Sequence, residues 1–180
     1  MASLSGISFR TATPADALCI AVLGTQVFLD TYAPQGIRPS LAREVVAHFS
    51  AATVAQQLAA PSRVFILAEH DGHLIGFAQL AFGVDHALVP FAPAAELERL
   101  YVQERRTSGG IGKTLLGHAE ELAAARGMAA LWLTAWIGNA RALSFYSRRG
   151  YQALGATQYV FENEAYENRL FAKRLPRAAA

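Results

Sequence analysis

The sequence predicts an α+β or mixed α/β domain built on a single β-sheet. Strand and helix patterns follow one another in the order β, α, α, β, β, β, α, β, α, β, β, or about seven strands and about four helices. The chain has 180 residues, of which 53% are apolar and 17% charged, a composition typical of a globular protein with a proper core. Because no repeat or linker interrupts it, we predict one domain over residues 1–176 and a loose tail over residues 177–180.

The first third of the chain predicts one strand followed by helices. Residues 7–10 form a short apolar strand. Thr13 is a predicted N-cap, followed by proline at the first helical position, for a helix that runs to Tyr32. Ser40 is predicted to cap a second helix, and Thr53 a further short one.

The middle third predicts three strands and a helix. Residues 64–69 and 74–82 are apolar strands, and the Asp71-Gly72 dipeptide between them is a strong hairpin signal. Residues 96–102 alternate as a strand should, with the glutamates on one face and Arg99 and Tyr101 on the other. A helix then runs from Ile111 to about Arg126, where a glycine ends it.

The last third predicts a buried strand, a helix and a closing pair of strands. The buried strand covers residues 131–136, and Asn139 caps the helix that Gly150 ends. The closing strands cover residues 152–161 and 166–175, with a polar turn between them.

Charge and cysteine content exclude several classes of function. The formal net charge is only +2 and the basic residues are scattered, so we expect no nucleic-acid partner. Cys19 is the only cysteine, which excludes an internal disulfide, and its apolar segment predicts an inert thiol in a helix core. The five histidines lack the spacing of metal ligands, so we expect no metal.

The N-terminal region does not predict export or membrane insertion. A charged segment followed by an apolar run, as in a signal peptide, is not found there. Residues 17–29 form an uncharged run that is too short to span a bilayer. We therefore expect a cytoplasmic protein with no membrane partner.

The segment Ser108-Gly109-Gly110-Ile111-Gly112-Lys113 joins the strand over residues 96–102 to the helix that follows. Three glycines in four positions allow a tight turn that exposes backbone N–H groups at the helix N-terminus. That end carries roughly half a positive charge and suits a phosphate or pyrophosphate. A plain strand-to-helix turn remains the alternative, although one glycine would suffice for it.

The same segment is one residue away from a nucleotide-binding P-loop, G-x-x-x-x-G-K-[ST]. Thr107 stands where that motif requires its first glycine, and the chain lacks the repeating strand–helix order of such proteins. Binding of Mg-ATP would favour this alternative.

A longer pattern resembles the GCN5-related N-acetyltransferase (GNAT) superfamily. It combines the glycine turn with Trp-Leu-x-x-Trp-x-x-Asn-x-x-Ala-x-x-Phe-Tyr-x-x-x-Gly-Tyr over residues 132–151. The resemblance implies the GNAT fold, a single central and mostly antiparallel sheet of about seven strands flanked by about four helices. It also implies acetyl-CoA as acyl donor. In the family the turn reads Arg/Gln-x-x-Gly-x-Gly/Ala, so Thr107 in place of Arg/Gln is a departure that Arg106 or Lys113 would have to compensate.

The resemblance implies which residues bind the cofactor. The main chain of the strand over residues 96–102 would pair with the pantetheine arm. The glycine turn would hold the pyrophosphate, and the helix that Asn139 caps would make further contacts with the cofactor. These positions are Leu100, Tyr101, Val102, Thr107, Ser108, Gly109, Gly110, Ile111, Gly112, Lys113, Asn139, Ala142 and Tyr146.

The resemblance also implies catalytic roles for direct transfer in a ternary complex. Tyr146 falls where the family places its general acid, and a tyrosine with its ordinary pKa of about 10 stays protonated at neutral pH. The Val102 N–H would stabilise the oxyanion. Glu98 is the candidate base, directly or through water; Glu96 on the same face would share that role or attract a cationic substrate. A solvated or ion-paired glutamate is the alternative for both.

The acceptor is expected to be a small primary amine. Residues 28–32 and 155–159 resemble those of bacterial polyamine (spermidine/spermine) N-acetyltransferases, in which N-terminal helices wall the acceptor site. Asp30, Tyr32 and Glu96 would then bind a cationic amine. Other small amines, amino acids, antibiotics and protein amines stay open, as do a homodimer and a non-catalytic acyl-CoA sensor on the same fold.

Overall fold

A computed structural model of the chain describes residues 6–161 and 164–176. Two short 3₁₀ turns, Pro14–Asp16 and Glu104–Gly109, accompany the regular elements. In chain order the strands and α-helices are β1 (Ile7–Thr11), α1 (Ala17–Tyr32), α2 (Pro39–Phe49), α3 (Ala51–Ala59), β2 (Arg63–His70), β3 (His73–Phe82), β4 (Ala94–Val102), α4 (Ile111–Ala125), β5 (Ala130–Trp136), α5 (Ala140–Arg148), β6 (Gln152–Phe161) and β7 (Glu164–Arg174).

The strands form one mixed sheet of seven strands in the order β1-β2-β3-β4-β5-β7-β6. The pairs β1–β2, β5–β7 and β6–β7 are antiparallel, whereas β4 and β5 run parallel. The predicted mixed α/β class with seven strands is therefore confirmed. The described residues contain five α-helices, and the short α3 among them is the further short helix predicted after α2.

By its internal contacts the chain divides into two compact units, and each is discontinuous in sequence. The first consists of Met1–Leu80 and Arg99–Ala119, and the second of Ala81–Glu98 and Glu120–Ala180. No helix within residues 6–161 and 164–176 is long and apolar enough to cross a bilayer. The predicted tail over residues 177–180 and part of the turn predicted between the closing strands lie outside the described residues.

The core of the first unit is formed by α1, α3, β2 and β3. Burying one valine, leucine, isoleucine or phenylalanine side chain contributes about 1.5–3 kcal/mol to folding stability relative to leaving it exposed. The most deeply buried members are Ile20, Val54, Phe65, Leu67 and Phe77, each at 1% exposure or less. In the second unit, residues of β4, β5 and β7 pack with the 84–91 loop, and Trp132 donates its indole N–H to the Val84 carbonyl at 2.7 Å.

Most predicted element ends are confirmed by their hydrogen bonds. Gly127 ends α4, since its N–H bonds to Ala124 and the Met128 N–H to Ala123. The end of α5 has the same pair of bonds around Gly150. Asp71 and Gly72 both have positive φ, 50° and 76°, as the predicted hairpin turn requires.

Three predictions in the N-terminal third are wrong. α2 begins at Pro39 with Arg38 as N-cap instead of Ser40, because proline is preorganised for the first helical position. α3 is capped by Ser50, whose hydroxyl accepts from the Thr53 N–H at 3.2 Å, so Thr53 is inside the helix. Cys19 is exposed on α1 instead of buried in a helix core.

Candidate active site

The glycine segment leads into α4 through a left-handed residue. Gly110 has φ of +81° and its carbonyl accepts the first helical bond, from the Thr114 N–H at 3.0 Å. Gly110 is therefore the N-cap, and the N–H groups of Ile111, Gly112 and Lys113 have no acceptor within the helix. Because these N–H groups point out of the end of a 15-residue helix, an anion placed there would meet both them and the helix dipole.

Thr107 and the basic residues near this turn have different surroundings. The Thr107 hydroxyl donates to the Glu104 carbonyl at 2.8 Å, so it closes the 3₁₀ turn instead of extending from it. Arg105, Arg106 and Lys113 are exposed. A side chain added at Gly110 would meet no atom within 4 Å, so the backbone angle, not lack of space, demands glycine.

The backbone groups of β4 divide between its two edges. The Gln103 N–H donates to the Ile75 carbonyl at 3.0 Å, and a Cβ on Gly76 would lie only 2.8 Å from the Tyr101 carbonyl oxygen. The main chain of Tyr101 therefore faces β3. Because peptide groups alternate along a strand, those of Leu100 and Val102 point to the opposite edge.

That opposite edge is paired over only part of its length. The parallel ladder between β4 and β5 covers three residue pairs, from Ala94–Ala130 to Glu96–Trp132, although β4 is nine residues long. The main-chain groups of Leu100 and Val102 lie beyond this ladder, so an extended ligand with amide groups could pair with them as a further strand would. Of the three predicted strand contacts, Leu100 and Val102 have this geometry and Tyr101 does not.

The ring of Tyr101 instead belongs to an aromatic cluster on one face of β4, together with Phe28, Tyr32 and Phe49. Ring centroids lie 4.7 Å apart for Phe28 and Tyr32, 5.8 Å for Phe28 and Phe49, and 6.0 Å for Phe49 and Tyr101. Burial raises the pKa of the Tyr32 hydroxyl well above its usual range and also raises that of Tyr101, so both stay protonated at neutral pH. Tyr32, predicted to bind substrate, is thus part of this cluster.

Arg99 is a member of the cluster that the sequence reading missed. Its guanidinium carbon lies 4.9 Å from the centre of the Phe49 ring, and its Nη1 donates to the Gln79 Oε1 at 2.5 Å. Gln79 is only 1% exposed and donates in turn to the Gln57 Oε1 at 3.3 Å. In the sequence, the alternation along β4 puts Arg99 on the face away from Glu96 and Glu98. This alternation was the only sequence feature that pointed to a different environment for Arg99.

The predicted acidic residues have different surroundings. Asp30 is exposed near the end of α1. Glu96 and Glu98 are half-buried on β4, and both residues interact with other parts of the protein. Both belong to the second unit, in which Glu96 is paired with Trp132 in the parallel ladder.

In the second unit the residues predicted on α5 lie together. The Asn139 Oδ1 accepts from the Ala142 N–H at 3.0 Å, which confirms Asn139 as the N-cap. Tyr146 is 8% exposed and lies on the buried side of this helix. Its ring centroid lies 5.7 Å from that of Tyr151 and 6.1 Å from that of Phe171, so the ring has a fixed position.

Tyr151 provides an internal contrast to Tyr146. Its buried hydroxyl makes no hydrogen bond of standard geometry within the described residues, although the Glu120 carboxylate lies close to it. Burial and the neighbouring Glu120 carboxylate raise its pKa far above the usual range. Glu120 itself accepts from the Lys173 Nζ at 2.7 Å. Tyr151 is therefore a core tyrosine whose ring packs against that of Tyr146.

The second unit also contains a surface pocket of about 530 Å³ that includes none of the predicted site residues. Phe91, Met128 and Arg174 contribute to its lining, and the Arg174 guanidinium stacks 5.4 Å from the Phe91 ring. Its wall contains no candidate acid, base or nucleophile, so the pocket adds nothing to the chemistry. Within the described residues, no group of three or more potential metal ligands lies together.

Comparisons with known proteins identify the family of the chain and proteins of similar fold. The sequence model of the Acetyltransferase (GNAT) family matches residues 32–151. An uncharacterized N-acetyltransferase of Lactobacillus delbrueckii subsp. lactis is 24% identical over 96% of this chain and 99% of its own length. One from Mycobacterium tuberculosis is 30% identical over 70% of this chain and 80% of its own. In fold, the chain is similar to the PaiA N-acetyltransferase from Thermoplasma acidophilum, crystallised with coenzyme A, with a TM-score of 0.74, 23% identity, and coverage of 93% of this chain and 98% of that one.

Proposed function

The chain belongs to the acetyltransferase (GNAT) family, and from that premise we propose that it transfers an acetyl group to the primary amine of a small molecule. Family membership makes it an N-acetyltransferase with acetyl-CoA as acyl donor. The observation that carries the proposal is the start of α4, where three N–H groups lack an acceptor within the helix. We further propose direct transfer, with amine and acetyl-CoA bound together in a ternary complex.

The residues of the first unit fit acetyl-CoA on two counts. The N–H groups of Ile111, Gly112 and Lys113 suit a pyrophosphate, and the left-handed Gly110 places them at the helix end. The outward main-chain groups of Leu100 and Val102 suit an amide-bearing arm. When bound, acetyl-CoA supplies the acetyl group as a thioester.

The remaining cofactor contacts that we propose are weaker. Thr107 replaces the Arg or Gln of the family motif, and its hydroxyl is already used inside the 3₁₀ turn. The exposed Arg106 and Lys113 are therefore the cations that would approach the phosphates. Asn139 and Ala142 are proposed as contacts from α5, through the same capping turn that begins that helix.

Three groups of the chain are proposed to assist the transfer. The Val102 N–H donates to the acetyl oxygen where negative charge develops. Tyr146 donates its hydroxyl proton to the departing sulfur, and its packed ring supports this role because the hydroxyl needs no reordering. Glu98 accepts the proton of the amine, directly or through water, from a half-buried position on β4.

The amine is proposed to approach from the aromatic cluster that contains Tyr32. A polyamine was the expected acceptor, with Asp30 and Glu96 as further contacts, and other small amines fit the same chemistry. We also propose that residues 1–176 act as a single domain, since both compact units are built from separated stretches of chain and neither is a contiguous module.

The proposal is tested by measuring CoA release from acetyl-CoA with a panel of small primary amines. Because Cys19 is exposed, a thiol reagent would react with the protein itself, so the assay is best read by chromatography or with a Cys19→Ser variant. Initial rates at varied amine and acetyl-CoA should give intersecting double-reciprocal lines. Parallel lines, or an acetylated enzyme isolated without amine, would contradict direct transfer.

A further inference from the structure

The aromatic cluster on β4 contains a cation, and this bears on the chemical class of the acceptor. Arg99 stacks on Phe49, and Tyr101 and Tyr32 lie along the same group of rings. All of these residues belong to the first compact unit. Aromatic rings alone could contact many kinds of amine. A guanidinium among those rings favours a ligand that carries a negative charge.

Arg99 is held in place by neutral groups. The buried Gln79 accepts from Nη1 at 2.5 Å, and Gln79 is itself oriented by Gln57 at 3.3 Å. Tyr101 supplies a further polar contact to the guanidinium. These partners fix the direction of the side chain and use part of its five donors, but none of them carries a negative charge.

Arg99 thereby differs from Arg10, an ion-paired arginine of the same unit. Arg10 bonds to Asp16 at 2.7 Å and to Glu69 at 2.6 Å, so its charge is balanced by two carboxylates. Arg99 forms no ion pair with any carboxylate of residues 6–161 and 164–176. A half-buried guanidinium that is oriented yet unbalanced is a preorganised site for a planar anion.

We propose that the acceptor is an amine that also carries a carboxylate, such as an amino acid, and that Arg99 binds this carboxylate. The proposal rests on the proposed N-acetyltransferase function and refines its substrate class. A polyamine, by contrast, would bring two or more positive charges toward a fixed cation and is disfavoured.

The test compares acids with their amides. Wild-type protein is assayed with acetyl-CoA and the twenty common L-amino acids, β-alanine and γ-aminobutyrate, each beside its carboxamide, and with spermidine and spermine. A hydrogen bond to a charged group contributes about 1.5–3 kcal/mol, so we expect the best acid to exceed its amide by about 10- to 100-fold in kcat/KM. Most of that difference should lie in KM, because the carboxylate is bound equally before and during transfer.

Variants then assign the preference to one side chain. Arg99→Gln should remove the difference between acid and amide, and Arg99→Lys should restore only part of it, since lysine keeps the charge without the planar fork. Arg43→Gln, at an exposed arginine of α2, is the matched control and should keep the full preference. Should Arg99→Gln fail to fold, the acid–amide comparison on wild-type protein still decides.

The outcomes separate this inference from the function on which it rests. A protein that binds acetyl-CoA but acetylates polyamines or amides as well as acids, or none of the panel, overturns the carboxylate proposal. An acid preference that survives in Arg99→Gln overturns the role of Arg99. Absence of acetyl-CoA binding would instead overturn the proposed function, and it is measured separately by titration calorimetry.

Discussion

Replacing Tyr146 with phenylalanine tests the proposed general acid with little disturbance of the fold. The substitution removes one oxygen from a side chain that is 8% exposed, and it keeps the ring contacts with Tyr151 and Phe171 at 5.7 and 6.1 Å. Removing one hydroxyl from such a side chain costs about 1 kcal/mol. For a chain of this size that corresponds to a decrease in Tm of about 2–4 °C.

The effect on turnover should be far larger than the effect on stability. General acid catalysis contributes about 10²–10⁴-fold, so kcat of Tyr146→Phe should fall by at least about 100-fold. The dissociation constant of acetyl-CoA, measured by titration calorimetry, should change by less than about threefold, because tyrosine and phenylalanine bury similar apolar surface. The assay is CoA release at saturating acetyl-CoA and amine.

Tyr151→Phe is the matched control within the same aromatic group. The Tyr151 hydroxyl is buried without a hydrogen bond of standard geometry to any described residue, so its removal should leave kcat unchanged and should not lower Tm. If Tyr146→Phe and Tyr151→Phe have equal turnover, within about threefold, Tyr146 is not the acid, since the general acid should contribute at least about 100-fold.

Three further substitutions test the cofactor site and the fold. Gly112→Val should raise the dissociation constant of acetyl-CoA by about tenfold or more, because the new side chain blocks approach to the helix end; unchanged affinity in calorimetry would refute the pyrophosphate site. Gly117→Ala, deeper in α4 where an added Cβ meets nothing within 4 Å, should leave affinity unchanged and stabilise the protein by about 1 kcal/mol in thermal unfolding. Arg10→Gln should cost about 1 kcal/mol at pH 7, given the partial exposure of its ion pairs. The guanidinium hydrogen bond holds the pKa of Asp16 well below its usual range, so that stabilisation is complete above about pH 4 and is lost as the pH falls further; an equal difference between the two proteins at pH 2 and pH 7 in urea titrations would contradict it.

The elements with strong local chemistry were predictable from the sequence. The Asp71-Gly72 turn, the Gly127 helix end and the Asn139 cap each depend on neighbouring residues only, and all three are as expected. The first residues of α2 and α3 were predicted wrongly, because more than one nearby residue can cap each helix. In α3 the hydroxyl of Ser50 takes the N–H of Thr53, a choice that only the geometry of the preceding turn decides.

The faces of α1 were not predictable, because the helix is apolar almost all round. Leu18 and Val22 are each 63% exposed, whereas Ile20 and Leu23 are buried, and Cys19 follows the exposed side. A periodic pattern cannot distinguish the faces of such a segment. Only packing against the sheet does so.

The candidate site was predicted in part. The glycine turn and the α5 residues lie in continuous motifs, so the resemblance reached them. The surroundings of Arg99 were not predictable, because its partners Gln79 and Gln57 come from β3 and α3, which tertiary folding alone brings to β4. The division of the main chain of β4 between its two edges was also beyond the sequence, since it follows from pairing with β3.

The most direct test of the account is the change in melting temperature on adding acetyl-CoA, with Mg-ATP as the comparison. A ligand at 100 times its dissociation constant stabilises the folded protein by about 2.7 kcal/mol. For a chain of 180 residues this should raise Tm by about 5–10 °C with acetyl-CoA, and Mg-ATP should leave Tm unchanged. A shift with Mg-ATP alone, or none with either ligand, would contradict the assignment of the α4 N-terminus as the site of acetyl-CoA.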